Sequence, residues 1–354
     1  MSTQSTIGLG IIGISPCNMG STALLLRNQP DLRYKLVAAC SRRADVLKDF
    51  AAKEGIPFAT TDYQELIARP EVDVVGVYSP DALHAEHCIA ALKAGKHVVC
   101  TKPMVTSLEQ ARAVVKAVRD NGRKFLVGQT MRFDRQFAML RQIWQEGKLG
   151  EIMAAEAFYI HDMRPVYVFT PWRLTMPQDL MYGGVTHPVD ILRSFLGNVA
   201  RVHCLGIKGK LTPVYPIKNN FLLNLQFENG AIAQVRGLYD IVEPPLPMMQ
   251  VILYGTKGTV RAEFTDNKPG ALHIVFDGQP AKESLTINFE PERDSSAYGH
   301  GATVVRYMRH FQECLEKGQK PSPNEIDGAC AAAVAAAAWE SAETGKVVKV
   351  QNDF

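Results

Sequence analysis

Between residues 8 and 128, short apolar runs alternate with stretches of helical period, and this alternation restricts what the first third of the chain can become. The runs cover residues 8–14, 34–40, 72–78, 96–100 and 124–128, and each is almost wholly apolar. A strand with no polar face is buried on both sides, as in a parallel sheet covered by helices. Helices are expected at 20–28, 62–68, 84–94 and 106–121. Asp62 with Glu65, and Thr106 with Glu109, stand at capping-box spacing, while Gly95 and Gly122 follow the last two helices as left-handed caps. Leu108, Ala111, Val115 and Val118 fall on one helical face. Strand and helix in turn predict a doubly wound parallel sheet.

From about residue 151 the pattern changes. Runs rich in β-formers occupy 152–160, 200–207, 221–227, 231–238, 249–254, 259–264 and 272–276. Turn signals such as Glu228-Asn229-Gly230 and Gly255-Thr256-Lys257-Gly258 separate them, which predicts one large, mostly antiparallel open sheet. Glu243 to Pro247 is a loop, because proline cannot donate within a ladder. Helices at 304–317 and 326–344 close the chain, and the alanines of 329–338 suit a closely packed helix. A length of 354 residues accommodates two domains, drawn here as 1–128 and 129–354, with the last helix a candidate to pack back on the first.

Composition excludes several classes. No apolar run approaches the roughly 18 residues of a spanning helix. Residues 1–6 lack the basic and apolar regions of a secretory leader, so a cytoplasmic protein is expected. Lys+Arg total 39 against 36 Asp+Glu, a balance that argues against a nucleic-acid or membrane surface. The seven cysteines form no C-x-x-C pair and lie mostly in apolar stretches. They are expected to be buried free thiols, with neither a disulfide framework nor a metal site.

Gly8-x-Gly10-x-x-Gly13 matches a dinucleotide fingerprint as text, but those residues are the strand itself, and the fingerprint must follow a strand and open a helix. The phosphate turn is instead read from Gly13 to Gly20, two residues longer than usual, with Ser15 in place of the middle glycine and Met19 beside the last. Backbone N–H groups and the helix dipole there suit a pyrophosphate. The second strand ends in Ser41-Arg42-Arg43, without the carboxylate that takes a ribose 2′-hydroxyl. Ser41 can hydrogen-bond, and Arg42 or Arg43 can pair with a 2′-phosphate, which favours NADP over NAD.

Ala94-Gly95-Lys96-His97-Val98-Val99-Cys100-Thr101-Lys102-Pro103 resembles the A-G-K-H-V-x-x-E-K-P signature of the glucose–fructose oxidoreductase, inositol dehydrogenase and rhizopine-catabolism (Gfo/Idh/MocA) family. Ser79-Pro80 with His84, Gly128-Gln129-Thr130-Met131-Arg132-Phe133 and Tyr254-Gly255-Thr256-Lys257-Gly258 support the resemblance in the expected order. The resemblance implies a Rossmann domain followed by an α/β domain whose open sheet forms a homodimer or homotetramer. It also implies nicotinamide chemistry on a sugar or polyol. Ser79, His84 and Lys102 join the cofactor site by this resemblance, and Lys102 takes the catalytic lysine role, with Thr101 replacing the usual glutamate. The family's D-x-G-x-H-x-x-D pattern maps onto Gly183 to Asp190. His187 is then the catalytic histidine and Asp190 its orienting or capping partner. Gly183 and Val185 depart from the pattern, and Tyr182 is a candidate substitute for the lost aspartate. Chemically, oxidising an alcohol needs a base for its proton and a cation for the developing alkoxide, and lysine and histidine suit both tasks.

The loop-like segment from Tyr159 to Arg173 carries His161, Arg164, Trp172 and Arg173, where family members place the substrate. Trp172 can stack on a sugar face, and the arginines, with Arg132, can fork onto a carboxylate, sulfonate or phosphate. Two enzymatic readings follow from the resemblance. One is an NAD(P)-dependent oxidoreductase of a sugar, sugar acid or cyclitol. The other is an NAD-dependent glycoside hydrolase acting by transient oxidation and elimination, on an anionic glycoside. A non-catalytic cofactor-binding protein is disfavoured by Lys102 and His187.

Overall fold

The computed structural model describes residues 6–14, 26, 29–175, 179–265, 268–280, 284–290 and 301–354. The first unit holds β1 (Ile7–Ile12), β2 (Tyr34–Cys40), α1 (Ala44–Glu54), β3 (Phe58–Thr60), α2 (Tyr63–Ile67), β4 (Val74–Val77), α3 (His84–Lys93), β5 (His97–Thr101), α4 (Leu108–Asn121) and β6 (Phe125–Gly128). The strands form one parallel sheet in the order β3-β2-β1-β4-β5-β6, the expected doubly wound arrangement. Gly8 and Gly10 lie inside β1, where a Cβ on Gly8 would stand 1.8 Å from the Glu71 carbonyl oxygen. They serve strand packing, not a phosphate. The expected helix at 20–28 lies outside the described residues, apart from Leu26.

The caps show how local chemistry sets the helix starts. Asp62 Oδ1 accepts from Gln64 N at 2.8 Å, while Glu65 takes the Thr60 hydroxyl instead of closing a capping box. For α4 the box is shifted by one residue: Ser107 Oγ accepts from Gln110 N at 3.1 Å, and Gln110 Oε1 accepts from Thr106 N at 3.0 Å.

The second unit begins at Met131. It holds α5 (Arg135–Gln145), β7 (Ile152–Ile160), α6 (Arg164–Phe169), α7 (Trp172–Thr175), α8 (Leu180–Gly183), α9 (Thr186–Leu196), β8 (Val199–Ile207), β9 (Asn220–Phe227), β10 (Ile232–Leu238), β11 (Met249–Gly255), β12 (Gly258–Phe264), β13 (Gly270–Phe276) and β14 (Leu285–Phe289). The sheet order is β14-β13-β12-β11-β7-β10-β9-β8, extended by the C-terminal β15 (Val348–Lys349). Every described pairing is antiparallel except β7 with β10. One face buries Ala155, Ala157, Leu223, Val235 and Val251. On β8, β9 and β10 the alternate positions Leu205, Leu222 and Ile232 are exposed.

After β14 the chain returns to the first unit as α10 (Gly301–Glu316), whereas a single cut after residue 128 assigns that helix to the second. Tyr34 Oη donates to Met308 O at 3.0 Å, Arg33 N donates to Gln312 Oε1 at 2.8 Å, and Arg309 pairs with Asp31. The last helix, α11 (Glu325–Thr344), starts in the first unit and continues in the second from Cys330. Its alanines from Ala329 to Ala338 are nearly all buried, so small side chains are needed on most of its circumference. The six described cysteines are buried free thiols, and Cys17 lies outside the described residues. Among the described residues no helix is long and apolar enough to cross a membrane.

Candidate functional site

Strand order in the first sheet reverses between β1 and β4, and in such sheets ligands bind beyond the carboxyl ends at that reversal. Gly13 sits there with φ at +101°. A Cβ on it would stand 2.5 Å from Tyr78 O and 2.8 Å from Ser79 N, so only glycine permits this approach. Gly13 N donates to Cys40 O at 2.9 Å and Tyr78 N to Ile12 O at 2.8 Å, which brings the ends of β1, β2 and β4 together. Ser41, Ser79 and Lys102 therefore all lie just past strand ends on one edge of the sheet. Arg42 and Arg43 are exposed, and Ser41 Oγ accepts from Arg43 N at 3.4 Å. The bare turn at Gly13, bordered by these polar groups, suits a dinucleotide. Ser15, Met19 and Gly20 lie outside the described residues.

Two histidines of α3 have opposite electrostatic settings. His84 Nδ1 lies 2.6 Å from Pro103 O and Nε2 lies 2.7 Å from Ser79 O. Carbonyls only accept, so both ring nitrogens carry hydrogen and the ring is an imidazolium. Burial opposes this charge, but the Cys100 sulfur and the two carbonyls outweigh it and push the ring up to about 9. His84 was expected to touch the cofactor; it instead ties the turn after β4 to the cis Lys102–Pro103 peptide, and thereby holds Lys102 in place. His87 Nδ1 shares a hydrogen bond with Ser79 Oγ at 2.9 Å, and its ring lies 4.5 Å from that of Tyr63.

Burial pushes His87 down to about 4, and it does the same to His97. Their unfolded value is near 6.5. Between pH ~6.5 and ~4 the unfolded chain therefore binds protons that the folded chain refuses, and stability falls as pH falls. Each ring contributes on the order of 1.4 kcal/mol per pH unit in that window. Urea midpoints measured at pH 7 and 5 should show this loss, and His87→Gln should remove part of it. An unchanged slope in that variant contradicts the assignment.

In the second unit, His187 is buried near the start of α9, with its N–H donating to Gly184 O at 3.1 Å. Its ring meets Tyr159 edge-on at 5.4 Å. Tyr159 Oη shares a 3.1 Å hydrogen bond with His161 Nδ1, and Tyr239 packs edge-on against Tyr159 at 5.3 Å. Tyr159 and Tyr239 join the cluster around His187 without having been read from the sequence, since an aromatic in or beside a strand looks like ordinary core. Gly184 makes room for Tyr239: a Cβ there would stand 2.5 Å from the tyrosine hydroxyl. Val185, a departure from the family pattern, fits because Gly237 lacks a side chain; a Cβ on Gly237 would meet it at 2.5 Å. Tyr182 is buried in α8, whose N-cap Asp179 accepts from Met181 N at 2.9 Å and from Trp339 Nε1 at 2.7 Å.

The arginines are not the open fork that their sequence positions suggested. Arg132 forms a buried two-pronged pair with Asp190, Nε to Oδ2 and Nη2 to Oδ1, both at 2.6 Å. This corrects its expected role as a substrate group, and Asp190 anchors α9 one turn beyond His187 through the same pair. Arg164 forks onto Asp162, with Nη2 to Oδ2 at 2.6 Å, and holds that carboxyl below its usual range. Arg173 lies over the Trp172 ring at 4.8 Å.

A parallel sheet with a glycine turn at its reversal is the frame of a dinucleotide-binding Rossmann domain. The sequence matches the oxidoreductase family with an NAD-binding Rossmann fold over residues 7–129, and that family's C-terminal alpha/beta domain over residues 141–350. The chain belongs to this family, Gfo/Idh/MocA. It is 27% identical to the 1,5-anhydro-D-fructose reductase of Ensifer adhaerens over 329 residues, covering 90% of this chain and 91% of the other. It is 26% identical to the myo-inositol 2-dehydrogenase of Thermotoga maritima over 336 residues, covering 89% and 91%. A solved levoglucosan dehydrogenase in complex with NADH and L-sorbose shares the fold, with a TM-score of 0.85 at 22% identity over 98% of this chain and 100% of that one.

Proposed function

We propose that the protein is a dehydrogenase that transfers hydride between a nicotinamide dinucleotide and a hydroxyl of an uncharged sugar or polyol. The observation that carries this reading is Lys102, held past β5 by the His84 strap on a cofactor-type sheet edge. When bound, the nicotinamide supplies the hydride chemistry. Lys102 offsets the charge that develops on the alkoxide, and His187 takes the hydroxyl proton. Tyr159 and His161 set a hydrogen-bonded pair beside His187. With Arg132 committed to Asp190 and Arg164 to Asp162, the segment favours hydroxyl groups over an oxyanion. The relatives named for anhydrofructose and inositol support the substrate class.

The end of β2, with Ser41 and two exposed arginines and no carboxylate, supports a preference for NADP. The exposed Leu205, Leu222 and Ile232 support a homodimer or homotetramer built on the second sheet, and the buried free thiols suit a cytoplasmic setting.

The test is a panel of neutral hexoses, anhydrosugars and cyclitols beside uronates and sulfo-sugars, each with NAD or NADP. Reduced cofactor should accumulate with a neutral member. Arg42→Ala should weaken NADP more than NAD by about 1–3 kcal/mol, the range for a charge-assisted hydrogen bond. Turnover confined to anionic sugars, or equal loss of both cofactors, overturns the respective part.

A further inference from the structure

Asp240 follows Tyr239 and is almost fully buried, yet its Oδ1 has no hydrogen-bond partner among the described residues. Asn219 Nδ2, Thr212 Oγ1 and Tyr167 Oη are likewise buried without one. One loop, residues 208–219, gathers all four. Leu211 N and Thr212 N donate to Asp240 Oδ2 at 2.8 and 3.3 Å, which commits that oxygen and leaves the other. Gly209 allows the approach, since a Cβ there would stand 2.0 Å from Oδ2. Gly209 N donates to Asn219 Oδ1 at 2.8 Å, which fixes the amide so that its Nδ2 is the spare group. Tyr167 stacks on Tyr215 at 5.8 Å, and Tyr215 N donates to Thr212 O at 3.0 Å.

We propose that Asp240, Asn219, Thr212 and Tyr167 form a hydroxyl-binding subsite for the part of the sugar remote from the reacting carbon. This rests on the dehydrogenase reading above. The set holds one acceptor, one donor and two hydroxyls that do either, the complement of neighbouring sugar hydroxyls. Leaving four such atoms unmet in a folded protein is costly, so something must meet them. The exposed Val168, Leu211, Val214 and Val242 each stand within two residues of a member, so apolar side chains border the polar cluster along the chain. Asp240 is the chain neighbour of Tyr239, which packs on Tyr159 as Tyr159 packs on His187.

Calorimetric binding of the neutral panel sugars to the protein loaded with reduced cofactor tests the subsite without needing turnover. Tyr167→Phe and Thr212→Val, which keep shape, should each weaken binding of the sugar that binds wild type by about tenfold, the loss of one hydrogen bond to a buried group. Asp240→Asn should weaken it further, and cofactor affinity should stay unchanged in all three. Where turnover is measured, the loss should appear in KM rather than kcat. Unchanged sugar binding with a lowered Tm overturns the proposal and assigns the four atoms to internal water. Wild type that binds no panel sugar overturns it as well. Wild type that binds sugar without reducing cofactor leaves the subsite standing and sinks the dehydrogenase reading.

Discussion

Replacing Lys102 by methionine should lower kcat by about a hundredfold or more, while cofactor affinity stays within a few-fold. A hundredfold corresponds to about 2.7 kcal/mol of barrier, an ordinary figure for removing a group that stabilises charge only in the transition state. Methionine keeps the length and removes the charge. Lys102 follows β5 and precedes the Pro103 carbonyl that His84 holds, so the main chain should keep its path in the variant. Single-turnover kinetics with a panel sugar, beside cofactor titration by fluorescence, separates the two effects. Near-normal turnover in Lys102→Met would make the lysine structural, with the threonine at 101 as the departure that explains it.

Asp190→Ala should cost about 3–5 kcal/mol of stability, because it removes the two-pronged carboxylate from a buried guanidinium. The two side chains are 6% and 1% exposed, so water cannot replace the lost partner. The companion variant Arg132→Met with Asp190→Leu should recover most of the loss, since exchanging both charges for apolar groups of similar volume is often neutral. Denaturant unfolding of the two variants beside wild type decides it. A loss below about 1 kcal/mol in Asp190→Ala would mean that the pair acts as a surface bridge does.

The first sheet was legible, apart from the three-residue β3 with its exposed middle position, because its longer strands are largely apolar; β1 and β4 are buried at every position. The second was legible from period and turns, although β14 and β15 went unread. β14 has three exposed positions among its five, and β15 is two residues long, so neither shows an apolar run. The return of α10 to the first unit was open, because an amphipathic helix does not name the surface it covers. Tyr34 and Gln312, which fasten it, are far apart in the chain.

Lys102 and His187 were singled out only through family motifs. The arginines show why charge alone misleads. Arg132 and Asp190 are 58 positions apart, and nothing local announces that one neutralises the other. Asp162 stands two residues before Arg164, yet that closeness does not distinguish a pair from an open cation. Tyr159 and Tyr239 were hidden for the opposite reason, as aromatic residues that any sheet core uses.

Isotopic tracing distinguishes net hydride transfer from redox-cycling cleavage. The panel sugar that turns over is prepared with deuterium on the reacting carbon and incubated with oxidised cofactor. One deuterium is expected in the reduced cofactor, formed in step with the oxidised sugar. Release of an aglycone from a glycoside with no labelled cofactor accumulating would contradict it and favour redox-cycling cleavage instead.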